Sequence, residues 1–197
     1  MARKTGSSGI ETARGIRDAA LKLFADKGFA AVSMREIARE VGVQVGALYL
    51  YTPDKQSLLA DLMIAHLEDL LAAWQREGAG DLPPSQAFDA FVGFHISYHL
   101  TRVDEVFIAY MELRSLSPEN FAKVERLRRL YENVLQDILI AGEAEGIFRL
   151  KDARVTTLAL IAMLTGVNTW YRAGGRLSPE RIEEIYRALA RDMVGAP

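Results

Sequence analysis

Apolar residues recur at three- and four-residue steps along most of the chain, and capping residues, glycines and prolines cut that pattern into helix-length pieces. Ile16, Ala19, Ala20, Leu23 and Phe24 predict an amphipathic helix over about residues 9–27, opened by Ser8 and Glu11 at capping-box spacing and closed by Gly28. Ser33 and Glu36 form a second capping box, with Val32 and Ile37 placed around it as a hydrophobic staple. Gly42 stops that helix where a left-handed residue is needed, and Val43 can pack into the corner. Another short helix begins near Gln44 with Leu48 facing inward, and Phe29 and Val32 close a small three-helix core. Two short helices joined by a tight, glycine-containing turn make a helix-turn-helix, whose second helix enters the DNA major groove.

Thr52-Pro53 reads as an N-cap with proline at the first helical position, starting a helix that runs to about Glu77. Its apolar surface, from Leu58 to Trp74, is too long for the small head alone, so it connects head to body. Glu77 to Pro84 breaks it, and helix resumes after Ser85. Phe88, Phe91, Val92, His95 and His99 share one face there, while Phe94, Ile96 and Tyr98 occupy the rest. A helix apolar nearly all round is a central one. Helices follow at about 104–115, from Ser117-Pro118 to the stop at Gly146 with Phe121 to Leu139 inward, from Asp152 to Gly174-Gly175, and from Ser178-Pro179 onward.

The expected fold is therefore all-α with nine helices: a three-helix, helix-turn-helix head over residues 1–52 and a six-helix body over residues 53–197. The last two helices carry more apolar surface than one chain covers. Ala159, Ala162, Thr165, Gly166 and Ala173 permit close helix approach.

Composition narrows the reading. Half of the 197 residues are hydrophobic, enough for a substantial core. The absence of cysteine excludes disulfides and thiolate metal sites and suits a reducing cytoplasm. The longest apolar run, Leu158 to Leu164, falls far below the ~20 residues of a membrane-spanning helix, and the first residues lack the apolar region of a signal peptide. The net charge of −2 is unevenly spread: residues 1–55 hold 9 Lys/Arg against 6 Asp/Glu, and the remainder 15 against 20. The basic excess lies where the motif lies, and it includes Arg3 and Lys4 in a terminal arm.

Read in order, the helix, the glycine turn, Gly46-Ala-Leu48-Tyr49-Leu-Tyr51 and the following helix carrying Lys55 resemble the DNA-binding domain of the TetR family of bacterial transcriptional regulators. The resemblance covers roughly residues 10–60. It implies that the last two helices form a four-helix bundle with those of a second subunit. It also implies that Arg35, Gln44, Val45, Gly46 and Ala47 face the groove, with Tyr49, Tyr51, Lys55 and Ser33 at phosphate. Arg35 suits guanine, Gln44 adenine, and Val45 or Ala47 a thymine methyl. The chain departs from the residues many members carry at Val45, Leu50 and Thr52, and fewer charged contacts imply a lower salt slope.

In the body, Phe91, Phe94, His95, Tyr98, Phe107, Tyr110, Met111, Met163, Asn168 and Trp170 have the make-up of a mostly apolar ligand cavity with a few polar anchors. The segment 166–180 resembles members of the family that respond to acyl-coenzyme A thioesters, which implies an arginine-seeking nucleotide end, with Arg102 and Arg114 as candidates. His95 and His99 have i, i+4 metal spacing but lack a clear third ligand, so no metal is expected. Tyr51 and Lys55 mimic a dehydrogenase pair, yet Pro53 separates them, and no Gly-x-Gly-x-x-Gly or Walker loop accompanies them. No enzyme activity and no cofactor are expected. The expected protein is a cytoplasmic homodimeric repressor on a near-palindromic double-stranded DNA operator, released by a small hydrophobic, acyl-CoA-like effector. An activator, a ligand-independent regulator, and an all-helical binding protein with a vestigial head are the alternatives.

Overall fold

The computed structural model describes the backbone of residues 5–196 and the side chains from residue 9 onward. The Arg3–Lys4 arm lies outside the described residues. Every regular element described is helical: α1 (Thr5–Lys27), α2 (Met34–Val41), α3 (Val45–Leu48), α4 (Lys55–Arg76), α5 (Pro84–Leu100), α6 (Val103–Met111), α7 (Pro118–Ala144), α8 (Ala153–Thr165) and α9 (Pro179–Val194), with short 3₁₀ turns at Phe29–Ala31, Ala79–Asp81 and Leu113–Ser115. Val167–Trp170 continues α8 past Gly166, which keeps right-handed helical angles. Counted so, the nine expected helices are present among the described residues.

Two units divide the chain. One takes in Met1–His66 and Asp104–Glu125, the other Leu67–Val103 and Arg126–Pro197. The head therefore keeps α6 and the start of α7 with it, whereas sequence reading places those residues with the body.

In the first unit, Ile16, Ala20, Leu23 and Phe24 of α1 meet Phe29, Val32, Ile37, Ala38 and Leu48, all buried, so the periodicity of α1 and the staple residues build the three-helix core. Two local expectations are corrected. Ser8 lies inside α1, which begins at Thr5, and does not mark its start. Thr52 does not cap α4: the Asp54 carboxylate accepts the Ser57 N–H at 2.7 Å and its carbonyl accepts from Leu58, so the helix opens two residues later. A carboxylate at the N-terminus satisfies an orphan amide and complements the helix dipole, and Thr52 is turned inward and buried.

In the second unit α5 is buried almost throughout, as its all-round apolar character requires. An aromatic ladder surrounds it. Trp74 packs on Phe91 and Phe94 at 5.3 and 5.4 Å, Phe91 on Tyr131 at 5.2 Å, and Phe94 on Tyr98 at 5.4 Å. Ser117, Asp152 and Ser178 cap their helices as expected. Phe121, expected inward, is exposed. So is one stripe of α8: its Thr157, Leu160, Ile161 and Leu164 side is buried while Val155, Leu158 and Ala162 face solvent.

The closest packing in this unit is that of Phe148 on Gly142. The turn after α7 returns the Ile147 and Phe148 amides to the Gly142 carbonyl at 2.8 and 3.1 Å, so the ring lies over the glycine. A Cβ at residue 142 would overlap Cδ2 and Cε2 of that buried ring, which also packs on Phe88 at 5.3 Å. Overpacking costs about 1–3 kcal/mol and alanine returns about 0.5–1 kcal/mol of helix propensity. Gly142→Ala is expected to lose about 1–2 kcal/mol in urea unfolding; an unchanged midpoint would mean the turn can relax.

Candidate nucleic-acid interface

The helix-turn-helix is set by its two ends. Ser33, extended at φ −111° and ψ 155°, accepts the Glu36 N–H on its Oγ at 3.2 Å and so starts α2. Gly42 at φ 75° ends it, with its own N–H bonded to the Ala38 and Arg39 carbonyls and the Val43 N–H on Ala38 at 2.9 Å. That left-handed φ strains any residue with a Cβ, and it lets α3 begin three residues later. The Glu36 carboxylate reaches Lys27 Nζ at 2.5 Å, and that bond above all holds its pKa below the ordinary value, with the Ser33 backbone amide contributing least.

Most of the expected contact residues lie on the exposed side of this motif. Ser33, Arg35, Gln44, Gly46, Tyr49 and Tyr51 are exposed, Val45 and Ala47 half-buried, and Leu48 is core. Arg35 does not have the adjacent carboxylate, since Glu36 is taken by Lys27 and approached by Arg39. Gln44 stands at the N-cap of α3 but makes no side-chain capping bond, which leaves its carboxamide to other partners.

Lys55, expected at phosphate, is engaged within the chain. Its ammonium donates to the carbonyls of Phe29 and Val32, both at 2.7 Å, and sits 4.2 Å over the Phe29 ring. It ties the start of α4 to the turn between α1 and α2, and only its third proton is left for a phosphate.

A second clamp closes on the same turn. Glu112 Oε1 accepts the Phe29 N–H at 2.9 Å, and Oε2 accepts the Ser115 hydroxyl at 2.6 Å. Gln56 grips the segment beyond, donating to the Ser115 carbonyl and accepting the Ser117 N–H at 2.9 Å. Sequence reasoning misses both because the partners stand 83 and about 60 residues apart, with no local pattern to mark them.

Against this geometry, residues 16–62 match the family model of bacterial regulatory proteins of the tetR family, and residues 81–194 that of the tetracyclin repressor-like C-terminal domain. The second match alone spans more than half of the chain. The chain belongs to the TetR family. A crystal structure of a tetR-family regulatory protein from Rhodococcus RHA1 is similar at a TM-score of 0.88 and 31% identity, over 94% of this chain and 98% of that one. The transcriptional repressor KstR2 of Rhodococcus jostii is 26% identical over 98% of this chain and 95% of its own length. AibR, solved with isovaleryl coenzyme A and operator DNA, shares the fold at a TM-score of 0.83 and 24% identity, over 94% of this chain and all of that one. This TetR-family chain is thus a helix-turn-helix DNA-binding regulator.

The residues read as a ligand cavity fall into both units. Phe107, Tyr110, Met111 and Arg114 belong to the first, where Phe107, Met111 and Arg114 are exposed and Tyr110 half-buried. Phe91, Phe94, His95 and Tyr98 are buried in the second, Met163 and Asn168 half-buried, and Trp170 exposed beside Tyr186. His95 bonds Tyr131 Oη through Nδ1 and Thr165 Oγ1 through Nε2, each at 3.1 Å, and its ring stacks on His99 at 3.9 Å. That pair is a polar seam of the core. Arg102 lies 3.8 Å over the Tyr98 ring and donates to Thr101 Oγ1.

Lys55→Gln is expected to destabilise the protein by about 1–3 kcal/mol, since it removes donors from two carbonyls of the turn. The slope of log affinity against log salt should stay at its wild-type value; loss of a phosphate contact would instead reduce it by about 0.9 per contact. Urea unfolding and a salt titration of DNA binding separate the two roles.

Proposed function

We propose that this TetR-family protein is a homodimeric repressor that binds a near-palindromic operator and is released by a small hydrophobic effector of the acyl-CoA thioester class. Residues 1–52 read DNA, and residues 53–197 receive the effector and dimerise. The observation that carries the reading is the helix-turn-helix itself, capped by Ser33, turned by Gly42 and presenting Arg35, Gln44, Gly46, Tyr49 and Tyr51 to solvent. Repression follows the relative KstR2, which is named a repressor. The effector class is supported by AibR, which shares the fold and was solved with isovaleryl coenzyme A; because that complex also holds operator DNA, it supports the class of ligand and not the release.

Two features of this chain support the remaining parts. Both polar atoms of the Asn168 carboxamide are buried in the second unit without a hydrogen-bond partner. An unmet amide in such a place costs about 1–3 kcal/mol, and a carbonyl or amide of an effector would satisfy it. Phe91, Phe94 and Met163 of the same unit offer apolar side chains, and His95 and Tyr98 polar ones, for the rest of such a ligand. Val155, Leu158 and Ala162 on α8, with Leu189 and Met193 on α9, remain exposed and suit a self-complementary helical face, as a two-fold dimer needs.

Effector binding then shifts the population of head separations away from the spacing of successive major grooves, through α4, which begins in the first unit and ends in the second. A coupling of about 1–3 kcal/mol corresponds to roughly 5–150-fold in operator affinity.

Gel shifts on the DNA upstream of the protein's own gene, with and without acyl-CoA thioesters, test the proposal. A shifted band that survives bulk competitor and is lost with a thioester is the expected result. Bands unchanged by every thioester remove the effector, and no preference for any fragment removes the repressor. Leu158→Glu is expected to convert the dimer to a monomer in sedimentation and to abolish the specific band, while helical content is retained.

A further inference from the structure

Leu50 is the most exposed of the large hydrophobic residues described, at 83%, although it stands in the middle of the DNA-facing motif. The backbone explains its direction. Beyond α3 the Leu50, Tyr51 and Thr52 amides continue to bond the Ala47 and Leu48 carbonyls at 3.0–3.2 Å, so the helical turn persists through Tyr51. Two of these bonds reach three residues back, as in a 3₁₀ turn, so at about 100–120° per residue Leu50 lies roughly 200–240° from Leu48, which is fully buried. Gly46, four residues earlier, is also exposed, and a Cβ there would meet nothing within 4 Å. Ala47 adjoins it.

The exposed surface of α3 and the turn after it thus carries Gly46 and Leu50 with half-buried Ala47 beside them, and none of these side chains can donate or accept a hydrogen bond. Tyr49 and Tyr51, exposed at 50% and 41%, flank it. In the major groove the one base group that an isobutyl side chain can read is the thymine 5-methyl; every other base edge asks for a donor or an acceptor. The glycine and alanine beside Leu50 hold no bulk that would keep this surface from the groove floor.

We infer that Leu50 is a specificity-determining residue that selects thymine through its 5-methyl group. The inference rests on the DNA-binding reading of the motif and deepens it by naming the base and the chemical group recognised.

The test uses the full-length protein and an operator selected from random duplexes. Each thymine is replaced singly by deoxyuridine, which removes the methyl and keeps the base pair. At one thymine position per half-site, wild-type affinity is expected to fall about fourfold, and about 15-fold when both halves are substituted, the equivalent of one and two methyl burials. Leu50→Ala should bind the all-thymine operator correspondingly more weakly and should be indifferent to deoxyuridine at that position. Its thermal midpoint should match wild type, because the side chain is exposed. Equal sensitivity of wild type and Leu50→Ala, or indifference of both, overturns the assignment while leaving DNA binding intact. Failure of wild type to select any sequence overturns it together with the DNA-binding reading.

Discussion

The backbone of the short turn between α1 and α2 must be satisfied, and the placing of the DNA-reading helices depends on how this is done. Phe29 and Val32 are buried there, so their polar backbone groups cannot rely on water. Lys55 supplies donors to both carbonyls and Glu112 an acceptor for the Phe29 amide. Those side chains come from α4 and from the segment after α6, so one six-residue turn, 28–33, is held from two sides. Because α2 begins at Met34, directly after the Ser33 cap, any shift of the turn is passed on to α2 and α3.

The same node explains why the first unit includes Asp104–Glu125. A head that folded on α1 to α3 alone would leave the Phe29 N–H without Glu112 and the Phe29 and Val32 carbonyls without Lys55. A regulator gains from this arrangement: a segment that is distant in sequence, and continuous through α7 with the second unit, is bonded directly to the turn that orients the reading helices. Two elements, α4 and the 112–117 segment, are thus available for coupling, and sequence reading sees only the first.

What was legible in the sequence was local. The Ser33 cap, the left-handed Gly42 and the inward Leu48 follow from spacing alone, because each is satisfied within a few residues. The Asp54 cap was within reach, since Asp-x-x-Ser stands beside the Thr-Pro pair that draws attention instead. The clamp of Glu112 and the role of Lys55 were not, because periodicity carries no information on contacts between residues tens of positions apart. On α8 periodicity misleads in a different way. Its apolar residues cover most of the circumference, and amphipathic pattern cannot divide Leu160 and Leu164, which pack within the unit, from Val155 and Leu158, which remain outside. The candidate ligand residues suffer from the same ambiguity: aromatic side chains that fill a core and those that line a cavity have one composition.

Charge in the head bears on how DNA is held. Of its cations, Lys27 is paired with Glu36, Lys55 is committed to backbone carbonyls, and Arg14 and Arg39 stand within 4 Å of carboxylates. Lys55 is thereby largely withdrawn from phosphate neutralisation, whereas the exposed pairs of Arg14 and Arg39 are weak and open readily to a phosphate. Tyrosine hydroxyls can position the duplex without releasing many counterions. On the proposed reading, the fit of α3 to base edges adds discrimination between operator and bulk DNA to the sequence-independent hold of these cations on phosphate.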